Sequence, residues 1–258
     1  MTHFPGVTLL VTHYNRSQSL ECCLQAFQEF GCAFDDIVVA DDASALEHLE
    51  RLQTLQKKYS FRLITTPVNR GLGHNLNQGQ DAVTTPYTLY VQEDFCPTPL
   101  FPARFQDALA IMEERPDVDL IRFYSGSPYP YRKPFKNGFS EMLFSIVRPG
   151  RAKFYYYSDW PHLRRSTFFQ KFGRYAEIKP AVKSEKYMLM SYLQAHGKSL
   201  ECDSDLSSLF IHGNVDAEPS TQDYSAFFAI KRRIPALIFE ALWTLKLTVQ
   251  FLFKSYRR

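Results

Sequence analysis

Short apolar runs alternate with longer amphipathic segments along the first 95 residues, and this pattern predicts strands and helices in turn. The apolar runs have the length and the β-branched or aromatic content of buried strands, and they cover residues 7–11, 37–40, 61–65 and 87–91. Between them, apolar residues recur at three- and four-residue steps, as on the buried face of a helix. Repeated alternation of strand and helix predicts an α/β fold with a doubly wound, mostly parallel sheet and helices on both faces.

The second half of the chain carries a less regular pattern. We predict a helix that ends at Arg115, a strand over residues 120–123, a helix over 187–195 and a late strand over 209–214. Residues 124–157 are rich in Tyr, Pro, Gly, Lys and Arg, and they form either an insert over the sheet edge or a plain surface loop. As an insert, this segment would offer aromatic faces on which sugar rings can stack.

Residues 231–258 combine basic ends with an apolar centre, which predicts an amphipathic helical tail. On a helix, several apolar residues fall in one stripe: Ile238, Leu242, Leu245, Val249 and Leu252. Glu240 and Lys246 interrupt the apolar run, which disfavours a helix that spans a membrane. The basic flanks and Trp243 favour a helix lying in a membrane interface. Packing on the protein's own core or on a second subunit is the alternative.

Composition and charge narrow the class of protein. The 258 residues are 45% hydrophobic, which is enough to bury a full core. The net charge of +3 is too small to indicate a protein that binds nucleic acid over its whole surface. The five cysteines include no C-x-x-C pair, which favours reduced thiols over a disulfide framework or a zinc site. The N-terminus has no basic segment followed by an apolar one, so we expect no signal peptide and a cytoplasmic protein.

Polar residues follow each of the four predicted strands in the first half. They are Thr12 and Asn15, Asp41 and Asp42, Arg70, and Glu93 and Asp94. The carboxyl ends of parallel strands lie at one edge of a sheet, where ligands bind, so we expect these side chains to converge on one crevice. Carboxylates at that edge are suited to hold a divalent cation. An acidic loop that caps the next turn is the alternative interpretation of the last pair alone.

Four motifs, in this order, resemble the nucleotide-binding half of family 2 glycosyltransferases, which have the GT-A fold. They are V-T-L-L-V-T-H-Y-N-R, I-V-V-A-D-D-A-S, N-R-G-L-G-H-N-L-N-Q-G and Y-V-Q-E-D, and the resemblance continues more loosely to about residue 215. The resemblance implies an inverting transferase that uses a nucleotide-sugar donor. It assigns the donor nucleotide site to Thr12, Asn15, Asp41, Asp42, Arg70, Gln92 and Glu93.

The resemblance also implies a divalent cation, Mn²⁺ or Mg²⁺, at the donor diphosphate. Asp94 matches the last acid of the family's D-x-D motif, and His212 is placed as a further metal ligand. The first acid of that motif is Gln92 here, and an amide supplies no charge to a cation, although its oxygen accepts hydrogen bonds. Gln92 therefore affects how strictly the protein is expected to depend on a metal. It leaves the prediction of a nucleotide site unchanged.

Residues 156–175 resemble the family's acceptor segment, which brings Asp159, Trp160 and His162 to the acceptor side. Further along, the family has an acidic E-D pair that supplies the catalytic base. This chain has Glu185 followed by Lys186, so Glu185 is the expected base. The alternative role of Glu185 is that of an acid favoured by the N-terminal dipole of a helix.

Together these features predict an inverting glycosyltransferase that moves a sugar from a nucleotide-diphosphate donor to a hydroxyl of a glycan or lipid-linked acceptor in cell-envelope polysaccharide synthesis. We expect a GT-A domain over residues 1–230, with a donor half (1–100) and an acceptor half (101–230), and the helical tail over 231–258. The tail predicts a peripheral position on the cytoplasmic face of the plasma (inner) membrane, or a contact with a second copy of the chain.

Two rival functions fit the same sheet. A nucleotidyltransferase is disfavoured because no glycine-rich phosphate loop follows the first strand. A non-catalytic sugar- or lipid-binding module on a degenerate GT-A fold is suggested by Gln92 and Lys186, which replace acids of the family.

Overall fold

The apolar runs and amphipathic segments of the sequence become strands and helices in a computed structural model, which describes residues 1–203, 209–213, 218 and 235–256. The strands are β1 (Thr2–His13), β2 (Cys32–Asp41), β3 (Arg62–Thr65), β4 (Tyr87–Gln92), β5 (Phe95–Pro97), β6 (Leu120–Arg122), β7 (Arg132–Pro134), β8 (Phe139–Met142), β9 (His162–Arg165), β10 (Ser199–Cys202) and β11 (Phe210–His212). The helices are α1 (Ser17–Glu29), α2 (Leu46–Tyr59), α3 (Leu72–Asp81), α4 (Phe101–Glu114), α5 (Phe168–Phe172), α6 (Ala181–Gln194) and α7 (Ala236–Phe253).

The larger sheet has the strand order β3-β2-β1-β4-β9-β6-β10-β8-β7. The first four strands in that order are parallel to one another, and β6 and β10 form a second parallel pair. Strand β9 lies between β4 and β6 and is antiparallel to both, so it joins the two halves of the chain into one sheet. The predicted α/β fold with a mostly parallel sheet is therefore confirmed.

Side chains of β1 alternate between two apolar cores, one on each face of the sheet. Leu9 and Val11 pack in a core that includes residues of α1, α2 and α4. Leu10 packs in the other core, with residues of α3, α5 and α6. Helices thus cover both faces, and the carboxyl ends of β1, β2 and β4 remain side by side at one edge of the sheet.

Helix α6 begins at Ala181, earlier than the predicted start at residue 187. Residues 181–186 are mostly polar, so the apolar spacing of the sequence revealed only the buried part of this helix. Because α6 begins earlier, Glu185 lies on its second turn and not in a loop before it.

A small second sheet pairs β5 with β11 in antiparallel fashion. The late strand was predicted over residues 209–214, but its partner was not, because the pairing joins residues far apart in the chain. The backbone N–H of Gly213 donates a hydrogen bond of 3.0 Å to the carbonyl oxygen of Asp94. This pairing brings His212 beside the loop that follows β4.

Helix α7 presents apolar residues on two faces. On one face, Phe239 and Leu247 are buried, and Trp243 and Phe251 pack beside the core that contains α6. On the other face, the predicted stripe is between 46 and 60% exposed: Ile238, Leu242, Leu245, Val249 and Leu252. By length and composition alone α7 could also cross a membrane, which for a single helix is weak evidence. Packing on the protein's own core therefore holds for one face only, and the stripe stays open to solvent.

Candidate active site

The loop after β2 is tied to the loop before α3 by Asp42. Its carboxylate accepts hydrogen bonds from the backbone N–H groups of Arg70, at 2.9 Å, and Gly71, at 2.6 Å. Gly71 has a φ of +92°, which a side chain would strain, so glycine suits this turn. The guanidinium of Arg70 is about half exposed and pairs with Glu177. Asp42 and the backbone of Arg70 therefore lie side by side at this edge of the sheet, and their role in binding a nucleotide stays a prediction.

Asp41 lies inside the protein and is fully buried. Its carboxylate accepts hydrogen bonds from His13 Nδ1, at 2.8 Å, and from the backbone N–H of Ser44, at 3.0 Å. Burial alone would raise the pKa of Asp41, but the hydrogen bonds from His13 and Ser44 outweigh it and hold the pKa below its ordinary value. Asp41 thus stays ionised and fixes the turn beneath Asp42.

Thr12 and Asn15 also use their polar groups within the protein. The hydroxyl of Thr12 shares a hydrogen bond of 3.0 Å with the hydroxyl of Tyr90. The side-chain oxygen of Asn15 accepts a hydrogen bond of 2.7 Å from the backbone N–H of Ala45. Asn15 has a φ of +54°, a left-handed conformation that asparagine tolerates better than most residues. These two residues shape the end of β1 and the loop that follows.

The acids after β4 contact an arginine that the sequence motifs did not single out. Nη1 of Arg16 donates to Asp94 Oδ2 at 2.7 Å and to Glu93 Oε1 at 3.3 Å. All three side chains are largely buried. Burial and the neighbouring Asp94 raise the pKa of Glu93. Arg16 could have been anticipated because it follows Asn15 at the same edge of the sheet, but its sequence position does not show which way its long side chain extends.

His212 contacts Asp94 from the opposite strand. Its Nε2 donates to Asp94 Oδ2 at 3.1 Å, and its ring stacks on Phe95 with 4.5 Å between centroids. Burial would raise the pKa of Asp94, but hydrogen bonds from His212 and Arg16 outweigh it and hold that pKa below its ordinary value. The structure therefore brings together the two residues that the sequence assigned to a metal.

The side chains around Asp94 show whether a divalent cation could bind there. Oδ1 of Asp94 is buried and has no hydrogen-bond partner among the described residues, so one carboxylate oxygen is available beside the His212 imidazole. Within the same residues, no group of three or more His, Cys, Asp or Glu side chains is placed to hold a metal. The residues present fit a cation that binds Asp94 Oδ1 and takes most of its shell from a bound diphosphate; His212 could join as a ligand only after its Nε2 gives up the hydrogen bond to Asp94.

A second pair of acids lies on the acceptor side. Oε1 of Glu185 accepts a hydrogen bond of 3.1 Å from the backbone N–H of Asp159. Oδ1 of Asp159 accepts hydrogen bonds from the hydroxyls of Tyr157, at 3.0 Å, and Tyr175, at 2.8 Å, and its Oδ2 has no partner in the described part of the chain. Burial raises the pKa of both carboxyls, and the negative charge of Asp159 raises that of Glu185 further. A carboxylate of raised pKa is suited to accept a proton.

Gln92 connects the donor side to the acceptor side. Its Nε2 donates a hydrogen bond of 3.2 Å to the carbonyl oxygen of Asp159, whose N–H in turn bonds Glu185. An aspartate could not donate to that carbonyl. The amide at this position thus positions the segment that carries Asp159.

Trp160 and His162 differ in their access to the crevice. Trp160 is partly exposed and packs edge-on to Tyr124, with 5.4 Å between ring centroids. His162 is fully buried in β9, where Nδ1 donates to the carbonyl oxygen of Trp160 at 2.7 Å. Burial lowers the pKa of His162, which keeps the ring neutral. The burial of His162 suits a structural histidine, and Trp160 is the member of the pair that faces the open side.

The family model described as "Glycosyl transferase family 2" matches residues 8–175. A curated relative, the poly-beta-1,6-N-acetyl-D-glucosamine synthase of Staphylococcus epidermidis, is 24% identical over 89 residues, which span 34% of this chain and only 22% of that protein. The full S. aureus TarS crystal structure superposes with a TM-score of 0.61 and 16% identity, covering 95% of this chain and 42% of that one.

TarS residues 1–349 in complex with UDP-GlcNAc give the same TM-score of 0.61 at 14% identity, covering 95% of this chain and 71% of that one. At such identities these structures support the fold alone. The family model, in contrast, covers more than half of the sequence, and so the chain belongs to glycosyl transferase family 2 and carries its glycosyltransferase domain.

Proposed function

We propose that this protein is an inverting glycosyltransferase that moves a sugar from a nucleotide-diphosphate donor to a hydroxyl of a glycan or lipid-linked acceptor in cell-envelope polysaccharide synthesis. The observation that carries the proposal is that two acidic centres are linked by hydrogen bonds through Gln92 and Asp159. Asp94 lies with Arg16 and His212 on the donor side, and Glu185 lies with Asp159 on the acceptor side. The hydrogen bond from Gln92 joins the two sides.

The donor nucleotide is held by the residues at the ends of the parallel strands. Asp42 and Arg70 line the wall for the base and ribose, on a turn fixed by Asp41, Thr12 and Asn15. Gln92 and Glu93 complete the donor side next to the diphosphate. UDP-GlcNAc is the first donor to test, because a structural neighbour was crystallised with it.

The diphosphate lies beside Asp94 and His212, which would hold Mn²⁺ or Mg²⁺. A bound cation supplies positive charge to the leaving diphosphate. Arg16 adds the charge of its guanidinium at the same place and is held there by two carboxylates and by the carbonyl oxygen of Glu218, at 3.2 Å. The protein therefore brings its own positive charge to the leaving group as well.

Glu185 takes the proton of the acceptor hydroxyl while the oxygen attacks the anomeric carbon. Its raised pKa makes it a stronger base than a solvent-exposed carboxylate. Asp159, held by two tyrosine hydroxyls, keeps Glu185 in place through its backbone N–H. Trp160 offers an aromatic face to the sugar of the acceptor.

The two halves of the domain divide this work: residues 1–100 bind the donor, with His212 added from the second half, and the rest of 101–230 binds the acceptor. The tail over 231–258 places the enzyme peripherally on the cytoplasmic face of the inner membrane. The exposed stripe of α7 supports that position, since its open apolar residues lie together on one face of the helix. Contact of the tail with a second copy is the competing arrangement.

Incubation with UDP-GlcNAc and Mn²⁺ tests the proposed chemistry. We expect release of UDP and, by rapid ¹H NMR, a first-formed product of β configuration from the α-linked donor, because one displacement inverts the anomeric carbon. A product that retains the α configuration would contradict inversion. Donor binding with no turnover on any glycan or lipid-linked acceptor would favour the non-catalytic module.

A further inference from the structure

Four lysines gather where α6 meets α7, on a surface that the proposed chemistry does not use. Lys183 and Lys186 lie on the first turns of α6, Lys246 lies on α7, and Lys254 follows α7 directly. We call these residues the lysine cluster. Burial lowers the pKa of Lys186, and the nearby charges of Lys246, Lys254 and Lys183 lower it further. Lys186, which replaces the second acid of the family's E-D pair, thus has Lys246 and Lys254 among its charged neighbours.

Direct contacts hold the two helices together at this point. The ammonium of Lys254 donates to the hydroxyl of Tyr187 at 2.9 Å, and the rings of Tyr187 and Tyr256 are 4.8 Å apart. Nε2 of Gln194 donates to the carbonyl oxygens of Phe251 and Lys254, at 2.7 Å each. These bonds hold the C-terminal end of α7 against α6, next to Lys186 in sequence.

Among the described residues, three members of the cluster have no carboxylate partner. In the described ranges no ion pair joins Lys183, Lys186 or Lys246 to a carboxylate, and the one acid of α7, Glu240, pairs with Arg151 at 2.8 Å. Like charges held close together disfavour one another unless an anion binds between them. The surface is thus complementary to an anionic group.

The lysine cluster borders the exposed stripe of α7. Lys246 is four residues after Leu242, which places it about 40° around the helix, between the stripe and the face that packs on the domain. An apolar face edged by lysines is the arrangement of helices that lie in a membrane surface, where the stripe enters the acyl region and the ammonium groups meet phosphates.

We infer that the lysine cluster and the stripe of α7 form one surface that docks on the phosphate head groups of an anionic lipid membrane. The inference rests on the proposed function for its consequence at the active site. Glu185 shares the first two turns of α6 with Lys183 and Lys186, so docking holds the helix that carries the proposed base close to the lipid surface. An acceptor carried on a lipid phosphate would then reach Glu185 without leaving the membrane.

A second copy of the chain fits this surface less well than a membrane does. In a two-fold symmetric contact the same patch meets itself, so two lysine clusters would come together across the interface. That repulsion is absent on an anionic lipid surface.

Flotation of the full chain with vesicles tests the docking surface. We compare phosphatidylcholine vesicles with vesicles that also contain phosphatidylglycerol, at low and at high salt. The wild-type protein is expected to bind the anionic vesicles more tightly and to lose that preference at high salt. The variant Lys183→Glu/Lys186→Glu is expected to bind them at least roughly tenfold more weakly, since each lysine near an anionic surface contributes about fivefold.

The matched control is Lys57→Glu/Lys133→Glu, which makes the same change in charge at two exposed lysines on α2 and β7. It should bind as the wild type does. A second variant, Leu242→Gln/Leu245→Gln, should weaken binding to both kinds of vesicle, and thermal unfolding checks that each variant is folded.

Equal binding of the Lys183→Glu/Lys186→Glu variant and its control would overturn the inference. So would a concentration-dependent dimer that the Leu242→Gln/Leu245→Gln variant abolishes, because the stripe would then be a contact between copies. Donor binding by the same variants is measured separately by thermal shift. A protein that docks on vesicles but binds no nucleotide sugar would contradict the proposed function and leave the docking surface standing.

Discussion

Replacement of Glu185 by glutamine is expected to abolish sugar transfer and to leave donor binding unchanged. Glutamine keeps the size of the side chain and an oxygen that can accept the hydrogen bond from the Asp159 N–H, but it cannot take a proton. Loss of a positioned base lowers the rate on the order of 10²–10⁴-fold. Transfer is measured with saturating donor, and donor binding by calorimetry on the same sample.

The Glu185→Gln variant should also change the stability of the folded protein, and the pH dependence of that change tests whether the pKa of Glu185 is raised. Because the pKa of Glu185 is raised in the folded protein, its ionised form costs stability. Stability therefore falls as the pH rises from the unfolded carboxyl value of about 4.3 towards the raised pKa, and the cost is full above it. The glutamine variant should unfold at a higher temperature than the wild type at pH 8, with little difference at pH 4.

Glu113→Gln, at an exposed position on α4, is the control for loss of one negative charge. Transfer by the wild type should also fall as the pH is lowered through the raised pKa of Glu185, about 8, because the base becomes protonated. If the Glu185→Gln variant lost donor binding together with transfer, the role of this residue would be structural. Full transfer by that variant would remove it from the chemistry altogether.

Replacement of Asp94 by asparagine is expected to have the other large effect, on the donor side. Asp94 accepts hydrogen bonds from both Arg16 and His212, and its free oxygen is the one suited to a cation. Asparagine keeps the volume of the side chain and an oxygen that can accept one of these hydrogen bonds, and it removes the negative charge. We expect turnover to fall at least a hundredfold, a loss of about 2.7 kcal/mol of transition-state stabilisation.

Calorimetry with a UDP-sugar, in Mn²⁺ and in EDTA, measures this effect. The wild type should bind the donor more tightly with the cation, and the variant should show the same weak affinity in both. Asp81→Asn is the matched control, since it makes the same change at an exposed aspartate of α3 that pairs with Arg174. Near-normal turnover by Asp94→Asn would rule out its role at the diphosphate.

The strand ends of the first half could be predicted because they depend on local pattern and on one topological rule. The runs before Thr12, Asp41 and Asp94 have the composition of buried strands, and parallel strands bring their carboxyl ends to one edge. The stripe of α7 followed from helical spacing in the same way, and all five of its residues are exposed together. Such features can be predicted without knowing which residues distant in the chain will become neighbours.

Arg16, Gln92 and Lys186 show what the pattern could not supply. The direction of a long side chain depends on which partners the fold brings near, and the partners of Arg16 are 77 and 78 positions away. The replacement of a family acid by Gln92 looked like a lost metal ligand, yet its amide makes a bond to Asp159 that an acid could not make. Lys186 likewise has Lys246 and Lys254, about 60 positions away or more, among its charged neighbours, which no spacing in the sequence shows.

The proposed glycosyltransferase activity requires that the protein bind a nucleotide sugar. A thermal-shift screen measures this binding without knowledge of the acceptor. UDP-, GDP-, dTDP- and CMP-sugars are compared with and without Mn²⁺. One nucleotide class, with the UDP-sugars expected, should stabilise the protein by about 2.7 kcal/mol at 100 times its Kd, and Mn²⁺ should enlarge the shift. A well-folded sample that shows no shift with any of these donors would contradict the central claim.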